Sequence, residues 1–199
     1  MNDLRIDVSH LPTYAFGHRS LMWWGVAALM AIEGTIFALL ITMYLYLKSR
    51  ALEWPPGFFA PMLLWGTVNT AVLILSAVPN HLAKRAAERQ DLRGLRWWLG
   101  VSIGVALVFC GVRVLEFRTL NVWWDSNAYG SIVWTLLGFH TTHLITDVID
   151  SLALETLLFT GPMDESHFVD AAENAIYWDF VVIAWVPLYA LIYLAPRLA

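Results

Sequence analysis

The chain has 199 residues, of which 59% are hydrophobic and 14% charged, with a mean hydropathy of +0.60. A soluble domain is roughly half apolar and about a quarter charged, so this composition excludes an ordinary water-soluble fold and points to a bilayer, where each crossing helix needs about 20 apolar residues. The net charge of -4 is spread over several loops, which gives no basis for a nucleic-acid partner, and the lone Cys110 cannot close an intramolecular disulfide.

Residues 1–20 carry Asp3, Asp7, His10 and His18 and lack the apolar core and small-residue cleavage site of a signal peptide. They read as a cytoplasmic segment ahead of one membrane domain, 21–199. The first span is predicted over 21–47, too long for a signal-peptide core and therefore a retained helix. Trp54-Pro55-Pro56-Gly57 opens a turn, and the second span follows over 61–78, closed by Pro79-Asn80. Within it Gly66, Thr67, Asn69, Thr70 and Ser76 interrupt the apolar run as small or polar residues. His81 to Arg96 holds Lys84, Arg85, Arg89, Arg93 and Arg96 and reads as a helical connector at the membrane surface.

The third span is predicted over 97–115, the fourth over 128–159 and the fifth over 174–194, with Gly161-Pro162 between the last two and a bend expected at Pro187. No alternating strand pattern or internal repeat competes. The expectation is an all-α integral membrane protein, a five-helix bundle. Lys and Arg favour cytoplasmic loops. Seven (Arg5, Arg19, Lys84, Arg85, Arg89, Arg93, Arg96) fall on the N-terminal side against five (Lys48, Arg50, Arg113, Arg118, Arg197) opposite, so the N-terminus is expected in the cytoplasm and the C-terminus in the periplasm. Trp23, Trp24, Tyr44, Tyr46, Trp54, Trp97, Trp98, Trp123, Trp124 and Tyr193 lie near predicted span ends, as interfacial anchors do.

Polar residues inside spans carry the functional information, because an ionised carboxylate at mid-helix costs about 2.5–3.5 kcal/mol on insertion scales. Glu33 sits midway along the first span with no basic neighbour in sequence, and reads either as a proton-relay group or as a carboxyl bonded to a neighbouring helix. Arg113 and Glu116, three apart, can pair on one helix face. His140 and His143 share a face with Asp147, Asp150 and Ser151 nearby. Zinc would want further ligands and a supporting shell, so interhelical hydrogen bonding is the stronger reading of the two histidines. Glu173 and Asp179 are six apart and do not share a face, which argues against a hydrolytic carboxylate pair. There is no nucleophile motif, phosphate loop or dinucleotide fingerprint.

Four segments carry a family resemblance: Glu33 with Phe37 and Tyr44; Leu63-Leu64-Trp65-Gly66-Thr67-Val68-Asn69-Thr70; Tyr129-Gly130-Ser131 with Gly138-Phe139-His140-Thr141-Thr142-His143; and Glu173 to Tyr189, including Tyr177-Trp178-Asp179-Phe180 and Trp185. Together with Leu115-Glu116-Phe117 they resemble subunit III of haem-copper cytochrome c oxidase from Trp23 to Tyr193, in its short five-helix bacterial form. The final helix departs from the family pattern, with Asp179 and Val182 where His and Asp are usual.

The resemblance implies a non-catalytic core subunit of a respiratory oxidase in the bacterial inner membrane. It would bind no haem or copper itself, since these belong to partner subunits I and II. It would hold phospholipid in a cleft and sustain proton uptake, and it leaves room for membership of a respiratory supercomplex. Glu33, Glu116, His140, His143 and Glu173 would form a polar seam, with no catalytic, cofactor-binding or metal-ligating residue in this chain. The competing expectations are subunit III of a quinol oxidase, the accessory subunit of a nitric oxide reductase, a proton-coupled transporter centred on Glu33 and the His140/His143 face, and a metalloenzyme built on His140, His143, Asp147 and His167.

Overall fold

Uninterrupted apolar stretches with no water to satisfy their backbone can only become helices or closed barrels, and in the computed structural model of this chain, which describes residues 15–58, 60–161 and 165–198, they become helices. These are α1 (Leu21–Arg50), α2 (Leu63–Glu88), α3 (Leu92–Arg118), α4 (Ala128–Thr160) and α5 (Ser166–Tyr189), each long and apolar enough to cross a membrane. The starts of α1, α3 and α4 are capped by side chains suited to it. Ser20 accepts from the Met22 amide at 3.1 Å, Asp91 from Gly94 at 3.1 Å and Asn127 from Gly130 at 2.8 Å. Residues 1–14, Phe59, 162–164 and Ala199, and with them Asp3, Arg5, Asp7, His10 and Pro162, lie outside the described residues.

Several boundaries differ from those expected. Pro79-Asn80 does not close the second span, because α2 runs through Pro79 to Glu88. Pro79 lacks the amide for one helical bond yet the helix continues, and the next residue, Asn80, ties α2 to α5 by donating to Ala175 O at 2.9 Å. The expected connector 81–96 is therefore two helix ends around a turn, where Gln90 takes the left-handed φ of 55° and the amides of Gln90 and Asp91 return to Ala87 and Ala86 carbonyls. α5 begins at Ser166, which places Glu173 inside the helix rather than at its edge. Beyond Pro187 the helix widens into a π-helical stretch, Ala190–Leu194, before a last turn, Ala195–Leu198.

α2 to α5 form a four-helix bundle in which α2 packs on α3 and α5, and α4 on α3 and α5. The stripe Gly66, Asn69, Leu73, Ser76, Asn80, Ala83 and Ala87 is the buried face of α2, and its small residues let the backbones approach. α1 lies outside this bundle in the groove between α4 and α5, with only Phe37 and Tyr44 buried along its length. Its hydroxyls at Thr35 and Thr42 bond their own i-4 carbonyls at 2.8 Å, so the face turned to lipid or to a partner leaves those groups satisfied.

The aromatic residues divide into two groups. Trp24, Trp97, Trp123 and Trp124 are exposed near helix ends, as interfacial anchors are. Tyr44, Trp54 and Tyr193 are buried instead, since the chain folds back over them at that end. Trp54 meets Tyr44 edge-on at 5.3 Å and Tyr129 at 5.0 Å, and Tyr44 donates to Leu191 O at 2.9 Å.

A buried polar seam as the candidate functional site

Glu116 stands at the centre of one polar cluster. Arg113, three residues earlier on the same face of α3, donates to its Oε2 at 2.8 Å, and Asn69 Nδ2 on α2 donates to the same oxygen at 2.7 Å. Tyr193 donates its hydroxyl to Oε1 at 2.5 Å from beyond α5. Arg113 and Glu116 are both essentially inaccessible, at 1% and 0% exposure, and their opposite charges let the pair enter the bundle at far lower cost than either alone.

The guanidinium is also sandwiched by π faces, 4.2 Å from the Trp185 ring and 4.7 Å from Phe109. His140 closes the cluster from α4. Its Nε2 lies 3.1 Å from the Val181 carbonyl, which can only accept, so Nε2 carries the hydrogen; Nδ1, 3.3 Å from Arg113 Nη2, is the acceptor. Four helices thus meet on one carboxylate and one guanidinium.

Glu33 and His143 form a second cluster. His143 gives its Nδ1 hydrogen to Phe139 O at 2.7 Å, which leaves Nε2 facing Glu33 Oε1 at 3.3 Å. Tyr177 donates to the other oxygen, Oε2, at 2.8 Å. The missing basic neighbour of Glu33 comes from α4, far away in sequence, and the contact seats α1 on the bundle.

Between α2 and α5 a third line of polar contacts runs the length of the interface. Tyr189 shares a hydrogen bond with Thr67 at 2.8 Å, Trp185 Nε1 donates to Thr70 at 2.8 Å, Trp178 Nε1 to Ser76 at 2.9 Å, and Asn80 Nδ2 to Asp179 at 3.0 Å. Singly, such bonds in membranes contribute about 0.6 kcal/mol. Sequence reasoning noted the small and polar residues of α2 without assigning their partners; their spacing at 66, 69–70, 76 and 80 is the signal that marks the stripe.

His140 and His143 serve different clusters and do not converge, which removes the geometry a shared metal needs. Among the described residues no three His, Cys, Asp or Glu side chains are placed to hold an ion. Glu173 joins neither cluster. It is 1% exposed, its Oε2 is without a hydrogen-bond partner among the described residues, and it lines a lateral groove of about 550 Å³ between α1, α4 and α5. Asp179 faces α2 instead, so the two acids diverge as their spacing requires. The seam can lock helices together; among the described residues it presents no group of three metal-ligating side chains.

The family model for cytochrome c oxidase subunit III matches residues 24–196. The chain belongs to the cytochrome c oxidase subunit III family. A cytochrome c oxidase subunit 3 from Synechocystis sp. is 33% identical over 184 residues, covering 89% of this chain and 77% of the relative. One from Thermostichus vulcanus is 28% identical with 92% of each chain covered. A probable cytochrome c oxidase subunit 3 from Mycobacterium tuberculosis is 32% identical with 85% of each covered. Within this subunit III, the segments that carried the resemblance supply much of the seam: Glu33, Asn69, His140, His143, Tyr177 and Trp185 all come from them.

Proposed function

We propose that this chain is the non-catalytic subunit III of a haem-copper terminal oxidase, bound to subunits I and II in a bacterial inner membrane, and that its work is structural support, lipid retention and maintenance of proton uptake. The observation that carries this reading is a buried cluster in which two opposite intramembrane charges, Arg113 and Glu116, face each other. Arg113 bonds both Glu116 and His140, and among the described residues no three His, Cys, Asp or Glu side chains are placed to hold an ion. Haem and copper, on this reading, are held by the partner subunits. The seated α1 and its exposed apolar faces, with Ile32 at 61% and Leu39 at 64% exposure, suit a helix that meets lipid and a larger subunit.

The α1–α4–α5 groove, with apolar walls from Leu29, Leu154 and Leu157, is of a size to take part of a phospholipid. The Glu33–His143 pair is the group best placed to exchange a proton. Orientation follows the basic residues: Arg19, Lys84, Arg85, Arg89, Arg93 and Arg96 gather at one end, which we assign to the cytoplasm. Arg113 leaves the opposing count because it is buried, which strengthens the asymmetry.

The test is mild detergent purification through a tag on this chain, followed by a visible spectrum and identification of the proteins that accompany it. Haem absorbance with a large multi-span partner is the expected result, and a copper-bearing subunit II among the partners assigns cytochrome c rather than quinol as donor. A colourless, solitary and intact protein overturns the proposal.

A further inference from the structure

Where α2, α3, α4 and α5 converge, Asn80, Ser102, Asp147, Ser151 and Trp178 enclose a cavity of about 10 Å³. A water molecule requires about 10–15 Å³ by this measure and two to four polar partners. The space therefore suits one small occupant, and its walls are polar enough to bind it.

Asp147 is 2% exposed and its Oδ2 has no hydrogen-bond partner among the described residues, a costly condition for a buried carboxyl. Asn80 commits both Nδ2 hydrogens, to Ala175 O and to Asp179 Oδ1, and so keeps its Oδ1 as an acceptor. Ser151 Oγ is bonded to the Asn174 side chain at 2.9 Å, which fixes that wall. Ser102 is buried at 7% exposure and brings a hydroxyl from α3.

Asp147 also lines the lateral groove, where Asp150 and Glu173 lie beside it. The groove and the cavity thus share one carboxyl as their common wall. By the 1.5 Å rise per residue, Asp147 lies about 20 Å from the Thr160 end of α4, deep in the span.

We propose that this cavity is a binding site for a single water molecule, held by Asp147, Asn80 and Ser102 and reached from the lateral groove through the Asp147 side chain. The water offers two hydrogens and two lone pairs. It can serve Asp147 Oδ2 and the Asn80 acceptor while taking the Ser102 hydroxyl hydrogen, giving three bonds, the usual number for a buried water. Beyond it Asn80 leads to Asp179, a half-buried acid on α5. A continuous polar line then crosses the bundle from the groove to the α2–α5 interface. It opens on the groove that Glu33 and Tyr177 also line, lies apart from the Arg113 cluster, and does not depend on the subunit III reading.

The experiment is an electron cryo-microscopy map of the intact purified complex at a resolution that shows ordered waters, recorded in sodium buffer and again with sodium replaced by N-methylglucamine. A peak within hydrogen-bond distance of Asp147, Asn80 and Ser102 in both buffers is the expected result. A Ser102→Val variant, whose methyls occupy the space, should lose the peak while the helices keep their places. If that variant fails to assemble, millisecond X-ray hydroxyl-radical labelling of the wild-type complex gives the second measurement. Trp178, 3% exposed, should be oxidised by radicals from the adjacent water, well above other buried tryptophans such as Trp185 at 0%. A site without density, a peak that vanishes with sodium, or a Trp178 labelled no faster than Trp185 overturns the proposal.

Discussion

Replacing Glu116 by alanine leaves the Arg113 guanidinium buried beside two orphaned donors, Asn69 Nδ2 and the Tyr193 hydroxyl. Breaking a buried pair from one side costs about 3–5 kcal/mol, or roughly 100-fold to several thousand-fold in the folding equilibrium. Removing both charges is a different perturbation. In Arg113→Met with Glu116→Leu no uncompensated charge remains, and the losses are three hydrogen bonds of about 0.6 kcal/mol each, those from Asn69 and Tyr193 and the one to His140, while the methionine side chain still packs against the Trp185 and Phe109 rings. The double variant should therefore be destabilised by only about 1–2 kcal/mol. The assay is an SDS titration of the purified subunit in mixed micelles, followed by tryptophan fluorescence, with the two single variants completing the cycle. A double variant as unstable as Glu116→Ala would refute the claim that the cluster is held by mutual neutralisation.

Three further outcomes are expected. Gly66→Ala would set a Cβ 2.5 Å from the Tyr193 ring, whose hydroxyl is tied to Glu116, and should cost about 1–3 kcal/mol in the same titration; Gly25→Ala, with nothing within 4 Å, should leave the midpoint nearly unchanged. Glu33→Leu should loosen α1, increasing the spread of spin-label distances between α1 and α5, whereas Glu33→Gln keeps an acceptor for Tyr177 and should stay close to wild type; haem absorbance of the complex should survive both. In a Cys110→Ser background, a cysteine at exposed Arg89 should react with a membrane-impermeant maleimide only after the cytoplasmic face is opened, and one at Asp125 from the opposite side without permeabilisation. The reverse pattern would invert the topology.

Helix number was legible because apolar length is a local property. Boundaries were less so, since Pro79 and the polar start of α5 look like breaks until α2 and α5 are seen to satisfy each other, as in the bond from Asn80 to Ala175 O. The i, i+3 spacing of Arg113 and Glu116 announced their pairing, because both sit on one helix. The partners of Glu33 could not be read the same way: His143 and Tyr177 lie more than a hundred positions along the chain, and no periodicity within α1 encodes them. Tyr44, Trp54 and Tyr193 misled for a related reason. An aromatic near a span end is an anchor only if no other segment covers it, and coverage is a tertiary fact.

The seat of α1 on α4 and α5 has a consequence for biosynthesis. Helices leave the ribosome in order, so α1 enters the bilayer first, while His143, Tyr177 and the Leu191 carbonyl that receives Tyr44 are still untranslated. During that interval Glu33 must be accommodated without any of its final partners. Among the five described helices α1 is then inserted first, and it can take its seat only after α4 and α5 have followed it, so its carboxyl needs an interim shelter that the finished bundle no longer shows.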